Sequence, residues 1–219
     1  LNAIAQGNLR ADIARYLRQK GINQQYNVQL STGSEKLASI WSAGFDKVRS
    51  NIVGNENSRF TLRTEQTWRP ISKLVLTGGM QFNANKVTNN GISSLAIGSA
   101  GLAYPYSRLL DSDGNPSRLE QNYRSRFLDT LGGGKLLDWS YYPLADQKLL
   151  DKTDNTNVLK FDLAAAYEWI KGLRSELRYQ YFTSNGLLVD RMDHNSFYVR
   201  DLINKYSQLK GNVIERPIP

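Results

Sequence analysis

Residues 157–185 read NVLKFDLAAAYEWIKGLRSELRYQYFTSN. Leu159, Phe161, Leu163, Ala165, Tyr167 and Trp169 fall on one side of an extended chain, and Lys160, Asp162, Ala164, Ala166 and Glu168 on the other. Lys171-Gly172 then supplies a two-residue turn. The chain returns with Leu173, Leu177, Tyr179 and Tyr181 alternating against Arg174, Glu176, Arg178 and Gln180. Side chains of a strand alternate between its faces, so a period of two with one apolar side predicts a β-hairpin with two unlike faces. Both strands exceed the ~5–6 residues usual in globular sheets and suit a tilted strand crossing a bilayer, which takes ~9–11 residues.

The same pattern occurs twice upstream. Phe60, Leu62, Thr64, Gln66 and Trp68 oppose Arg59, Thr61, Arg63, Glu65 and Thr67; a turn is expected at Arg69-Pro70-Ile71-Ser72, and Leu74, Leu76, Gly78, Met80, Phe82 and Ala84 return. Before that, Tyr26, Val28 and Leu30, a turn at Gly33-Ser34-Glu35-Lys36, and Trp41, Ala43 and Phe45 make a third hairpin, followed by an expected loop at 49–58. Trp68, Tyr167 and Trp169 lie near tight turns, as rings with an apolar body and a polar handle do at a membrane–water interface. Residues 9–20, LRADIARYLRQK, predict one amphipathic helix, with Leu9, Ile13, Tyr16 and Leu17 on a single face and Gly21 as its terminator. Arg10, Arg15, Arg18 and Lys20 fill the remainder, which reads as a solvated basic face.

Composition narrows the chemistry. The 219 residues contain no Cys and one His, His194, which removes disulfides, thiol nucleophiles and multi-histidine metal sites. Net charge is +8, but the cations are dispersed without a run of five, and no nucleic-acid-binding motif is present, so no nucleic-acid partner is expected. No apolar run approaches the ~18 residues of a transmembrane helix, which leaves a transmembrane β-barrel open. Asp111-Ser112-Asp113-Gly114-Asn115 has oxygens at calcium-loop positions, but Pro116 and Asn122 stand where such a loop needs Gly and Glu, so it reads as a turn. Gly132-Gly133-Gly134 lacks the context of a phosphate loop, and His194 reads as solvated. Glu65, Glu168 and Glu176 are candidates for an acid–base pair, with salt-bridged charges as the alternative. No catalytic residue, cofactor or metal site is assigned, and no enzyme activity is expected.

The hairpins are joined by very unequal connections. Short turns contrast with a connection from about 87 to 156, a contrast typical of outer-membrane barrels, whose periplasmic turns are short and extracellular loops long. That connection carries Tyr104, Tyr106, Trp139, Tyr141 and Tyr142 as candidate contacts to a sugar-like substrate or to a partner protein; packing of the loop on itself is the alternative for each. The polar strand faces nominate Arg59, Arg63, Glu65, Lys160, Asp162, Glu168, Arg174, Glu176 and Arg178 as lumen-facing.

The order of segments resembles a SusC-like (RagA-type) TonB-dependent outer-membrane transporter of Bacteroidota. The resemblance rests on Gly33-Ser34-Glu35-Lys36, Ser42-Ala43-Gly44-Phe45, Arg59-Phe60-Thr61-Leu62-Arg63, the stretch from Lys73 to Asn89, Tyr104-Pro105, Asp111 to Pro116, and Leu163 to Leu173 with Trp169 where Ile is usual. It covers nearly the whole chain and maps to the barrel just after the plug domain. It implies import of large nutrients such as glycans or peptides, a SusD-like surface lipoprotein as lid, TonB as energy source, and outer-membrane lipid around the wall. The opening LNAIAQGNLR lacks Met, and the chain reads as part of something longer, so the plug, the TonB box and the remaining strands are expected elsewhere. The expected layout is a helical lead-in from the plug side (1–25), first barrel strands (26–86), a long extracellular loop (87–156), a barrel hairpin (157–186) and an extracellular loop segment (187–219). The fold expectation is all-β, a segment of a large antiparallel transmembrane barrel with one short N-terminal helix. The alternatives are a barrel segment with a structural or secretion-complex role, and a soluble carbohydrate-binding β-domain.

Overall fold

The computed structural model describes residues 7–92, 97, 104–211 and 213–216. The fold is all-β: one six-stranded antiparallel sheet in sequence order, capped at one end by irregular chain and short helices. Its strands are β1 (Ile22–Gly33), β2 (Leu37–Arg49), β3 (Asn55–Ile71), β4 (Leu74–Asn89), β5 (Leu150–Ile170) and β6 (Leu173–Met192). The strands run past the expected limits. The loop before β3 shrinks to residues 50–54, and the long connection occupies 90–149.

Register preserves the two-faced character across all six strands. Tyr26, Phe45, Phe60 and Ala84 align in one row, and Leu30, Trp41, Thr64, Met80 and Phe161 in another, so the apolar sides share one face. Nothing among the described residues covers that face. Leu30 is 64% exposed, Leu163 55% and Leu177 75%.

The turns differ from expectation in detail. Chain reversal between β3 and β4 occurs at Ser72-Lys73, and Pro70 instead lies where the register slips between Trp68 and Ile71. A residue without an N–H fits where the ladder is interrupted. A second bulge between Glu168 and Ile170 leaves Trp169 unpaired; its indole N–H bonds Ser175 Oγ at 2.9 Å, and its ring meets Tyr167 edge-on at 4.8 Å.

The three turns form a staircase. The last β1–β2 pair, Gly33 with Ala38, is level with Thr77 and Arg178. The second hairpin continues three residues further to Leu74, and the third five residues further to Leu173. A step of about 2.5 residues per hairpin, at ~3.4 Å per residue and ~4.8 Å between strands, corresponds to a strand tilt of roughly 40°. The apolar band slopes the same way. The row that carries Tyr26 on β1 carries Asn157 and Asn185 on β5 and β6.

The only hydrophobic core cluster among the described residues lies at the loop end. Helix α1 (Leu9–Asp12) runs into a π-helical turn, Ile13–Leu17, and buries Leu9 and Leu17 with Ile92, Ile97, Leu109, Leu119 and Tyr141. The helix stops short of Gly21. Arg18 is already extended and bridges to Ile52, while Leu17 C=O accepts from Val53 N–H, so tertiary pairing ends the helix without a glycine cap.

Gly172, with φ +92°, makes the tight β5–β6 turn possible. Gly172→Val should cost ~1–3 kcal/mol through backbone strain alone, as the added Cβ meets nothing. Gly186→Ala, whose Cβ would sit 3.8 Å from Thr156 Oγ1 on ordinary strand backbone, should stay within about 0.5 kcal/mol. Amide exchange across 168–178 should accelerate in the first variant and not in the second.

Candidate functional site

Two regions could act on other molecules: the polar face of the sheet, and the cap at its loop end. All nine residues nominated from sequence as lumen-facing share one face. Cross-strand partners place Arg59 opposite Asn85, Arg63 opposite Gln81, Gln81 opposite Lys160, and Asp162 opposite Gln180; Ala164 opposes Arg178, and Glu168 opposes Arg174.

Charges on this face neutralise one another locally. Arg59 donates through Nε and Nη2 to Asp46 Oδ2 at 2.9 and 2.7 Å. Arg63 meets Glu65 at 3.0 Å, Lys160 meets Asp162 at 3.2 Å, and Arg178 meets Glu176 at 2.7 Å. Gln180 also donates to Asp162 at 3.0 Å. Exposed pairs of this type are screened by solvent and contribute little, so they define a wet, mixed-charge surface more than they stabilise it. A groove of about 710 Å³ passes over Gly79 between Arg63 and Glu65 on one side and Lys160, Asp162, Glu176 and Arg178 on the other. Glu65 and Glu176 are three strands apart and each has its own arginine, which is a salt-bridged arrangement and not a cooperating acid–base pair. What this surface can do is hold polar ligands through many weak contacts.

The cap is organised by buried polar groups. Helix α2 (Ser125–Thr130) and helix α3 (Pro143–Asp146) lie within the long connection, and helix α4 (Phe197–Tyr206) follows β6. Asp146 accepts from Phe197 N–H at 2.6 Å and Tyr142 N–H at 3.2 Å, and Arg200 lies 3.8 Å away. Burial raises the Asp146 carboxyl above its ordinary value, against the pull of those two amides and Arg200. Arg200 also donates to the carbonyls of Asp138 and Ser140 at 2.6 and 3.1 Å. Asn204 pairs with Leu137 in both directions at 2.9 Å, in the manner of a strand partner. Asp201 accepts from the Trp139 indole at 2.8 Å and from Lys205 at 2.7 Å, and that carboxylate raises the Lys205 pKa.

The nominated loop aromatics therefore separate. Tyr104 and Tyr106 are exposed, at 52% and 58%. Tyr142 is half-buried, and Trp139 is held by Asp201 and edge-on to Tyr123 at 5.2 Å. Tyr141 belongs to the core, where it packs on Phe197 at 5.0 Å and burial raises its hydroxyl pKa, so it is no contact surface. Helix α4 has no counterpart in the sequence reading, which has 187–219 as loop. Its signal was the N-cap Ser196, whose Oγ accepts from Val199 N–H at 3.4 Å. Asp111 is consumed by its own turn, accepting from the N–H groups of Asp113 and Asn115 at 2.9 and 2.8 Å, and these bonds lower its pKa. His194 is solvated, with Asp193 at 3.4 Å. Gly132-Gly133-Gly134 closes a 3₁₀ turn at Leu131–Gly134.

No protein-family model and no curated protein matches the chain. Among solved structures, the RagAB peptide importer in its "closed-closed" state matches with a TM-score of 0.64 at 15% identity, over 88% of this chain. The chain spans about a fifth (21%) of that chain's length. At this identity the likeness is one of fold.

Asp146→Ala should leave the N–H groups of Tyr142 and Phe197 without their acceptor and remove the ion pair to Arg200, which keeps its carbonyl partners, at about 3 kcal/mol of local stability, read as faster amide exchange at Tyr142 and Phe197. Because the folded carboxyl titrates above its ordinary 3.8, protection should decline as pH rises from there through the folded value. Asp146→Asn should lack this step.

Proposed function

We propose that these residues form part of the wall of a TonB-dependent outer-membrane transporter of the SusC-like kind, importing large nutrients such as glycans or peptides. The observation that carries the reading is the continuous apolar face with nothing among the described residues over it, opposite a face of paired charges. In water, an apolar surface spanning six strands would be an aggregation site. Against lipid it is the expected outer surface of a barrel, with the polar face toward a water-filled lumen. The strand tilt of roughly 40° estimated from the stepped turns falls in the range of closed barrels, and the likeness to the RagAB importer supports the same fold.

The cap then lies on the extracellular side and the tight turns in the periplasm. In hydrocarbon each unpaired backbone group costs several kcal/mol, so β1 and β6 pair at their outer edges with further strands of the same barrel. The chain's role is passive and no cofactor is involved: the polar face guides solute past a plug, while the cap, with Tyr104 and Tyr106 outermost, meets a SusD-like lipoprotein lid. TonB acts through the plug.

Two measurements test the orientation. Leu163→Arg puts a charge on the lipid face at mid-strand, at ~2–4 kcal/mol, and should impair assembly into the outer membrane. Asp162→Asn keeps an acceptor for Gln180 on the lumen face and should assemble normally. Equal assembly of both would overturn this assignment of faces. Protease added to intact cells should cut within 90–149 and spare Lys171-Gly172; cleavage only after the outer membrane is opened would invert the topology.

A further inference from the structure

The lipid-facing side of the sheet changes chemistry abruptly near its loop end. One row across the sheet reads Phe45, Phe60, Ala84, Asn157, Asn185; the next row toward the cap reads Ser58, Lys86, Asn155, Leu187. These residues line a groove of about 590 Å³. Its lower wall is continuous with the apolar band through Phe60, whose ring lies 6.5 Å from that of Phe82. Its upper wall is amide and amine. Ser58, Lys86, Asn155, Asn157 and Asn185 make no side-chain hydrogen bond or ion pair among the described residues. The lumen face is the contrast, since most of its charges are paired within the sheet. Lys47, aligned with Ser58, adds a second ammonium only loosely engaged by Glu56 at 3.8 Å.

Given the proposed orientation, on which this inference rests, the groove sits at the outer interface of the membrane. Anything bound there has an apolar part in contact with Phe45 and Phe60 and a polar part at Lys86 and the three asparagines. An ammonium without an internal partner calls for an anion, and Asn amides offer paired donors and acceptors to hydroxyl groups. We propose that this groove is a binding site for a phosphorylated glycolipid of the outer leaflet, with its phosphate at Lys86, its sugar hydroxyls on Asn155, Asn157 and Asn185, and its acyl chains along Phe45 and Phe60. A simple anionic phospholipid satisfies the lysine but leaves the asparagines idle. A protein partner satisfies the amides without needing the apolar floor to continue into the bilayer.

The test uses the intact assembly, purified in mild detergent, stripped of lipid and offered three probes: a bisphosphorylated lipid A-type glycolipid, the same glycolipid dephosphorylated, and phosphatidylglycerol. Retained lipid is counted by native mass spectrometry. The phosphorylated glycolipid should be held about tenfold better than either alternative, and Lys86→Gln should remove most of that advantage, as loss of one charge-assisted hydrogen bond does. Asn157→Leu with Asn185→Leu should lower retention of both glycolipids alike, and their new side chains suit a lipid-facing site. Lys73→Gln, at the opposite end of the sheet, should change nothing. Equal retention of phosphatidylglycerol, an unchanged Lys86→Gln profile, or a second copy of the chain seated over the groove would overturn the proposal while leaving the membrane reading intact. A protein that needs no detergent would overturn both.

Discussion

Backbone hydrogen bonding between neighbouring strands holds this sheet together with almost no hydrophobic packing beneath it. Among the described residues, buried apolar side chains outside the cap reduce to Ala166. Every other large apolar side chain of strands β1 to β6 is partly or fully exposed. Such a sheet depends on unbroken register, because a slip of one residue would exchange its two faces everywhere at once. The register is continuous from β1 to β6, and both irregularities are confined to the turn end.

The cap obeys different rules. It gathers most of the buried apolar side chains into a small core, then fixes its loops with buried polar groups that imitate secondary structure. Asn204 takes the place of a strand neighbour for Leu137, and Asp146 joins helix α4 to the segment before helix α3. Connections tie this cap to the sheet directly: Gln147 donates to Val53 C=O at 2.7 Å, Asn55 accepts from Gly91 N–H, and Asn90 accepts from Lys152 N–H. A long irregular connection thus acquires a defined position relative to the strands.

How much of this could be read from sequence follows from where the periodicity lives. Alternation is visible only where one face is apolar, and there the six strands and the side of every nominated charged residue are legible. The ends of the strands are not. NENS before Phe60 and DKTDNT before Asn157 are polar on both faces, so nothing alternates and they resemble loop. Pro70 signals a turn by composition, but the bulge it occupies needs the partner strand to be seen. Helix α4 is hidden because two of its buried positions are Asp201 and Asn204, which a search for apolar spacing passes over. The helix at Leu9 is visible through its apolar face, but its end is set by Ile52 and Val53, far along the chain. Tyr141 looked like its neighbours, since only the three-dimensional position of Phe197 distinguishes a core ring from a surface one.

The stepped turns have a handedness that acts as a key. A strand that joins beyond β6 must begin its pairing lower than β6's own turn would suggest, and one that joins before β1 must stop higher. A second sheet presenting β1 to β1 with both apolar faces on the same side is related to the first by a two-fold axis normal to the sheet, which keeps the slope of the band but exchanges the ends of the strands. Association between like edges therefore sets one sheet's cap beside the other's tight turns, on the same side of an apolar slab, although both edges expose hydrogen-bonding groups. Continuation by further strands of the same sense keeps every cap on one side and every tight turn on the other.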